Sequence, residues 1–220
     1  MSRTETLPGS LDTGVTMTTH PNDPAPTGLG ERPPARLTVL AGPTAVGKGT
    51  VAAYVRAHFP QVWLSVSMTT RPPRPGEVDG VHYHFVDDAE FDRLVAAGEF
   101  LEYAVVHGRA KYGTPRGPVE RALAEGRLAM LEIDLQGARQ VRASMEGALF
   151  AFLAPPSWDE LVRRLVGRGT ESEEERERRL QTARDELAAA SEFDVVIVND
   201  DVRRASEDLV SWMRSRQRDP

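Results

Sequence analysis

Residues 37–55 read LTVLAGPTAVGKGTVAAYV, an apolar run followed by a glycine-bounded turn with one lysine and then a helical pattern. The spacing Gly42-x-x-x-x-Gly47-Lys48 between a strand and a helix marks a P-loop. Its glycines let the backbone wrap closely, so that successive N–H groups point at phosphate oxygens, and the helix N-terminus adds positive potential. The cradle comprises Gly42, Pro43, Thr44, Ala45, Val46, Gly47, Lys48, Gly49 and Thr50, with Lys48 reaching β- and γ-phosphates. The plainer alternative is a glycine turn with its lysine in solvent, but strand, loop, lysine and helix all agree with a phosphate site. One position departs from the pattern. Where a serine or threonine usually meets the magnesium ion stands Gly49, and the hydroxyl follows at Thr50, placed to bond a phosphate. Magnesium bridging two phosphates keeps most of its waters, so the cation is still expected. ATPases, GTPases and kinases all use such a loop.

The rest of the chain fits an α/β protein. Apolar runs at 37–41, 128–133, 148–153 and 194–198 have strand length and no period of two, as in buried parallel strands. Helical patterns fall at 48–58, 115–125, 136–145, 157–168, 173–190 and 202–214, the alternation of right-handed βαβ units. Residues 61–113 break this rhythm: VWLSVS, VHYHFV and FLEYAVV, with a short helix at 87–97, look like a small mixed-β insert. Residues 1–34, rich in Thr, Pro, Gly and Ser, read as a disordered tail without a secretory pattern. The expected domain is 35–220, with core 35–60 and 114–220, the insert at about 61–113 and a helical lid at about 164–180. The net charge of −6 argues against a nucleic-acid binder that relies on overall positive charge. The lack of cysteine excludes disulfides and thiolate metal sites, and no apolar run is long enough to span a membrane.

A second anion site is suggested by SMTTRPPRPGEVDG, residues 67–80, where Arg71 and Arg74 lie three apart on a proline-stiffened connection. Stiffness lowers the entropy lost on binding, and the guanidinium fork matches phosphate oxygens in pairs. Tyr83 and Tyr112 could add neutral donors. A surface polyproline ligand is the rival reading of RPPRP.

The blocks GPTAVGKGT, SMTTRPPRPGEVDGVHYHF, GEFLEYAVVHGRAKYGTP, LEIDLQG, RRLVGRGTESEEERERRL and VIVNDD together resemble the guanylate kinase family, in order from Leu37 to Trp212. The resemblance implies a P-loop parallel-sheet core flanked by helices, a GMP-binding insert and a lid, in a cytoplasmic enzyme converting ATP and GMP to ADP and GDP with Mg2+. It assigns Ser67, Arg71, Arg74, Tyr83, Glu102, Tyr112, Thr114, Glu132 and Asp134 to GMP, with Glu102 and Ser67 reading the base. It assigns Arg164, Arg168 and Asn199 to ATP, and Lys48, Arg71, Arg168 and Arg179 to the transferring phosphoryl group. Chemistry agrees at Glu102: guanine presents adjacent N1–H and N2–H2 donors to a carboxylate, whereas adenine presents a lone pair that a carboxylate repels. The plainer alternative for Glu102 is a strand carboxylate facing water. RAK at 109–111 is one residue longer than the family's turn before the tyrosine, and Glu132 stands where family members commonly carry Asp.

Phosphoryl transfer between two anions needs positioned cations. Two unit charges about 4 Å apart repel by about 1 kcal/mol in water and about 4 kcal/mol in a partly dry cleft. Arg164 and Arg168 share a helix face, and Gly167 and Gly169 flank Arg168 as a hinge or helix end. For Arg176 and Arg178 simple solvation of a helix suffices. The acceptor is already anionic, so no general base is required, and Asp134 is expected to orient magnesium-bound water. His82 and His84 lie two apart but lack a third metal ligand, and Trp63, Trp158 and Trp212 read as packing residues. Two other classes fit parts of the pattern. One is a peptide-binding module of guanylate-kinase-like fold, against which Lys48 and the loop glycines speak. The other is a kinase for a different phosphorylated acceptor, against which Glu102 speaks.

Overall fold

The computed structural model describes residues 36–106, 110–166 and 172–216. The N-terminal tail, Arg109, and Arg168 with its flanking glycines lie outside the described residues. Five strands form a parallel sheet in the order β2 (Val62–Leu64), β7 (Leu128–Glu132), β1 (Leu37–Ala41), β8 (Leu149–Ala154), β9 (Val195–Val198). A second sheet runs β4 (His84–Phe85), β3 (Met68–Thr69), β6 (Ala110–Pro115), β5 (Phe100–Val106), with β3 and β4 parallel and the remaining pairs antiparallel.

Every residue of β1 is buried, because both faces of the central sheet are covered. Leu37, Val39 and Ala41 pack on one side with Val119 of α3 (Arg116–Ala124), Ala138 and Val141 of α4 (Leu135–Ser144), Leu131, Phe150 and Phe152. Leu40 packs on the other with Val51 and Val55 of α1 (Lys48–His58) and Leu209 and Met213 of α7 (Val202–Arg216). Two-sided burial is why these strands show no polar alternation in sequence.

The other three helices start at side-chain caps, each accepting a backbone N–H three residues on. Asp87 opens α2 (Asp88–Ala96), Ser157 opens α5 (Trp158–Leu165) and Ser172 opens α6 (Glu173–Ala188). Leu161 and Leu165 of α5 meet Ala183 of α6 in a third apolar cluster that Trp158 and Leu180 flank, while Trp63 and Trp212 pack at the edges of the two larger ones. Arg178 pairs with Glu175, three residues back.

The insert differs from its expected form in three ways. VWLSVS divides, since Val62–Leu64 pairs with β7 as an edge strand of the central sheet. VHYHFV keeps only two strand residues, because Gly80 takes a left-handed φ of 73° and the Asp79 carboxylate binds the Phe85 N–H, making residues 79–83 a turn. His82 belongs to that turn, its Nδ1 accepting the Val78 N–H. AKYGTP, whose glycine and proline hide a strand, forms β6 at the middle of the small sheet.

The packing predicts sharply different costs at two sheet positions. Phe152 is fully buried and meets Phe193 edge-on with ring centroids 5.2 Å apart, whereas Val196 is 49% exposed on β9. Phe152→Ala is expected to lower unfolding free energy by about 3–5 kcal/mol. Val196→Ala should change it by less than about 0.5 kcal/mol, both read from urea titrations.

Candidate active site

The loop between β1 and α1 is braced by its own backbone and by distant side chains. Gly42 has φ 153°, and a Cβ there would fall 2.4 Å from the Leu153 carbonyl oxygen; at Gly47, φ 101°, a Cβ would meet Asn199 Nδ2 at 2.6 Å. No side chain fits either place. Ala45 between them also takes a left-handed φ, 66°. Asn199 Nδ2 donates to the Val46 carbonyl at 2.8 Å, and Arg164 Nη1 donates to the same oxygen at 3.1 Å. Arg164 is steadied in turn by Glu160 at 2.9 Å.

Lys48 folds back onto the loop, donating to the Gly42 carbonyl at 2.7 Å and the Pro43 carbonyl at 3.2 Å. Burial lowers its pKa, against the pull of the Glu132, Glu186 and Asp134 carboxylates. The Thr44 N–H donates to Glu186 of α6 at 2.8 Å. A protein carboxylate thus sits on the anion cradle. Burial also pushes the Glu132 carboxyl above its usual range, with Lys48 and Arg56 opposing.

Both expected anion sites face one cavity of about 500 Å3. Thr44 and Lys48 line it from the loop, Glu132 and Asp134 from the end of β7, and Ser67, Arg71, Arg74, Tyr83, Glu102 and Tyr112 from the insert. Thr114 lies beneath Glu102 and donates its hydroxyl to Oε1 at 2.6 Å, the two residues being cross-strand neighbours on β5 and β6. Glu102 is 6% exposed, and burial pushes its carboxyl up to about 7, with the Thr114 hydrogen bond opposing. Gly47, Thr50, Arg164 and Asn199 line a second cavity of about 370 Å3 on the other flank of the loop. Arg179, on α6, lines neither cavity.

Arg71 is the most constrained side chain in the cleft. Its Nη1 and Nη2 each donate to Glu77 at 2.7 Å, and Nε donates to the Tyr112 hydroxyl at 3.1 Å. The guanidinium also stacks over Tyr83, 5.1 Å from its centroid. Glu77 accepts the Arg74 N–H too, and this bonding, with that from Arg71, pulls its carboxyl down to about 2. Tyr112 reaches Arg71 from β6 despite the extra residue in the preceding turn.

Three residues beyond the expected set shape the site. Glu77 was legible in principle, as an acid within one proline-fixed turn of two arginines. Glu186 was not, since it meets Thr44 across 142 residues of sequence. Gly137 accompanies Asp134, whose Oδ1 accepts the Gly137 N–H at 2.7 Å as the N-cap of α4. Asp134 therefore holds a helix start as well as lining the cavity.

The donor set fits a magnesium ion that arrives on a nucleotide. Among the described residues no cluster of three or more His, Asp or Glu could cage a metal. Glu132 and Asp134 bring two carboxylates to the cavity that holds Lys48, which matches an ion bound through phosphates and waters. A Cβ on Gly49 would meet nothing within 4 Å, so the missing hydroxyl leaves open space.

A parallel sheet with a P-loop, two facing cation groups and a buried carboxylate define a nucleotide-type phosphotransferase fold. The guanylate kinase family model matches residues 34–216. A protein named guanylate kinase from Leifsonia xyli is 63% identical over 189 residues, covering 84% of this chain and 74% of that relative. One from Thermobifida fusca is 62% identical, covering 86% and 95%. The crystal structure of guanylate kinase from Anaplasma phagocytophilum superposes with a TM-score of 0.66 at 32% identity, covering 85% of this chain and 88% of that one. The chain belongs to the guanylate kinase family. No helix among the described residues is long and apolar enough to cross a membrane.

A carboxyl raised to about 7 when folded, against 4.5 ordinarily, binds a proton more tightly in the native state. Native stability from this group is present below about pH 4.5 and is lost as pH rises through 7. Glu102→Gln is therefore expected to be more stable than the parent at pH 8 by up to about 3 kcal/mol, the margin vanishing toward pH 4 in parallel urea titrations.

Proposed function

We propose that this chain catalyses ATP-dependent phosphorylation of GMP, giving ADP and GDP, in the cytoplasm and with Mg2+ carried on ATP. The observation that carries the reading is the shared cavity, with Lys48 at one wall, Arg71 and Arg74 at another and the buried Glu102 between strands of the insert. A peptide-binding module has no use for Lys48 at the mouth of a braced P-loop.

The ATP tail lies in the loop, its oxygens taking the loop N–H groups, that of Thr44, which donates to Glu186, included. Lys48 leaves the Gly42 and Pro43 carbonyls for the β- and γ-phosphates. Thr50, Arg164 and Asn199 flank the nucleotide from the second cavity. The GMP phosphate is held by Arg74, by the hydroxyls of Tyr83 and Tyr112, and by Arg71, already fixed in orientation by Glu77. Guanine N1–H and N2–H2 donate to Glu102, with Ser67 beside it. Glu132 and Asp134 are the residues that would hold a magnesium ion brought in with ATP, and the ion would supply charge compensation for the phosphates. No proton need be removed, since a GMP phosphate oxygen is the nucleophile and catalysis consists of alignment and charge stabilisation.

The test is a coupled assay for ADP release with ATP and each common nucleoside monophosphate; turnover with GMP is expected, and binding without turnover or preference for another acceptor overturns the proposal. Lys48→Ala should lower kcat by about 10²–10³-fold, while GMP affinity by calorimetry stays within about twofold. The raised carboxyl of Glu102 gives a pH signature. Guanine needs the ionised form, so KM for GMP should fall as pH rises through about 7, by up to about tenfold per unit. The GMP phosphate itself titrates near pH 6, so the comparison is with Glu102→Gln, which should have a higher KM for GMP and lose the component centred near 7.

A further inference from the structure

Glu102 is held differently on its two oxygens. Oε1 accepts the Thr114 hydroxyl at 2.6 Å, from a residue that is fully buried. Oε2 lies against bare main chain: a Cβ built on Gly137 would fall 2.8 Å from Oε2, 3.2 Å from Cδ, and 3.3 Å from Ile133 Cδ1. Real Cβ atoms essentially never come under 3.0 Å, so the carboxylate or the helix would have to move.

Nothing in the backbone asks for glycine there. Gly137 sits in the first turn of α4 outside the left-handed region, where alanine is the better helix former. Its N–H is committed to Asp134 Oδ1 at 2.7 Å, so the turn cannot back away without loosening its cap. Thr114 holds the carboxylate on the strand side through its hydroxyl, and Glu102 lines the cavity on the other.

We propose that Gly137 is a positioning residue for base recognition: by having no side chain it lets the Glu102 carboxylate seat against the first turn of α4, at the depth from which it accepts the guanine donors. This inference rests on the assignment of Glu102 to guanine. One helix turn then sets two of the acids that line the cavity, Asp134 through its cap and Glu102 through contact. An added methyl at residue 137 moves the acceptor into the space the base needs and leaves the P-loop untouched.

The experiment is a double-mutant cycle of Gly137→Ala and Glu102→Ala, with GMP affinity measured by calorimetry and steady-state kinetics for GMP and ATP. A misplacement of about an ångström costs up to about a hundredfold, so Gly137→Ala should raise the GMP dissociation constant and KM by about tenfold or more. KM for ATP should stay within about twofold, and in the Glu102→Ala background the second substitution should change GMP affinity by no more than about twofold, the truncated side chain leaving room for the methyl. Wild-type GMP affinity in Gly137→Ala, or an equal loss in both backgrounds, overturns the inference. If Gly137→Ala alone does not fold, the double variant decides: it folds where Glu102 is the obstacle, and its failure beside a folded Glu102→Ala overturns the inference. A wild-type chain that does not bind GMP overturns the parent reading and this one together; a wild type that binds GMP with an indifferent Gly137→Ala overturns this one alone.

Discussion

The cleft depends on the backbone of one loop being held in a shape that few residue types adopt. Gly42, Ala45 and Gly47 all take positive φ, and the carbonyls of Gly42, Pro43 and Val46 need donors once the N–H groups turn toward the phosphate side. The fold supplies them. Lys48 serves the first two, Asn199 and Arg164 serve the third, and Glu186 accepts from the Thr44 N–H. The central sheet makes this affordable by placing β8 and β9 so that Leu153 closes over Gly42 and Asn199 reaches Val46. A braced loop loses little freedom when a triphosphate arrives, which is where its affinity comes from.

The same cleft pairs its charges within the protein. Arg71 faces Glu77 through two hydrogen bonds, and Lys48 lies in the field of Glu132, Glu186 and Asp134. In the proposed reading, carboxylates of the protein stand where the substrate phosphates come, and binding exchanges partners. Glu77 differs from Glu186 in this respect. It also accepts the Arg74 N–H, and so fixes the arginine turn whether or not a ligand is present.

The sequence was legible wherever structure is local. The four long strands of the sheet announced themselves as apolar runs, and the loop, both insert arginines and Glu102 stood in recognisable blocks. What stayed hidden was short or distant. Three residues of β2 carry too little pattern to assign to one sheet rather than the other, and β6 is masked by Gly113 and Pro115. Contacts such as Arg164 with Val46, 118 residues apart, depend on the whole fold and leave no local trace. Asp134 shows the limit from the other side: the block located it, yet its cap to Gly137 appears only once the helix begins one residue earlier than its apolar pattern suggested.

In the reading proposed for Glu102, selectivity for guanine draws on the same burial that makes this carboxylate costly to charge. A carboxylate in water would bind guanine weakly, because water competes for it at every approach. Set between Thr114 and Gly137 and 6% exposed, Glu102 has one hydroxyl donor and little solvent, so its ionised form is short of partners that guanine's two N–H donors would supply. Adenine brings a lone pair to the same place and leaves a buried charge unpaid, a penalty that can reach about 10⁴ in discrimination. Burial, only partly opposed by the Thr114 hydroxyl, is what pushes this carboxyl up to about 7. A more exposed glutamate would be ionised more readily and would distinguish the two purines less.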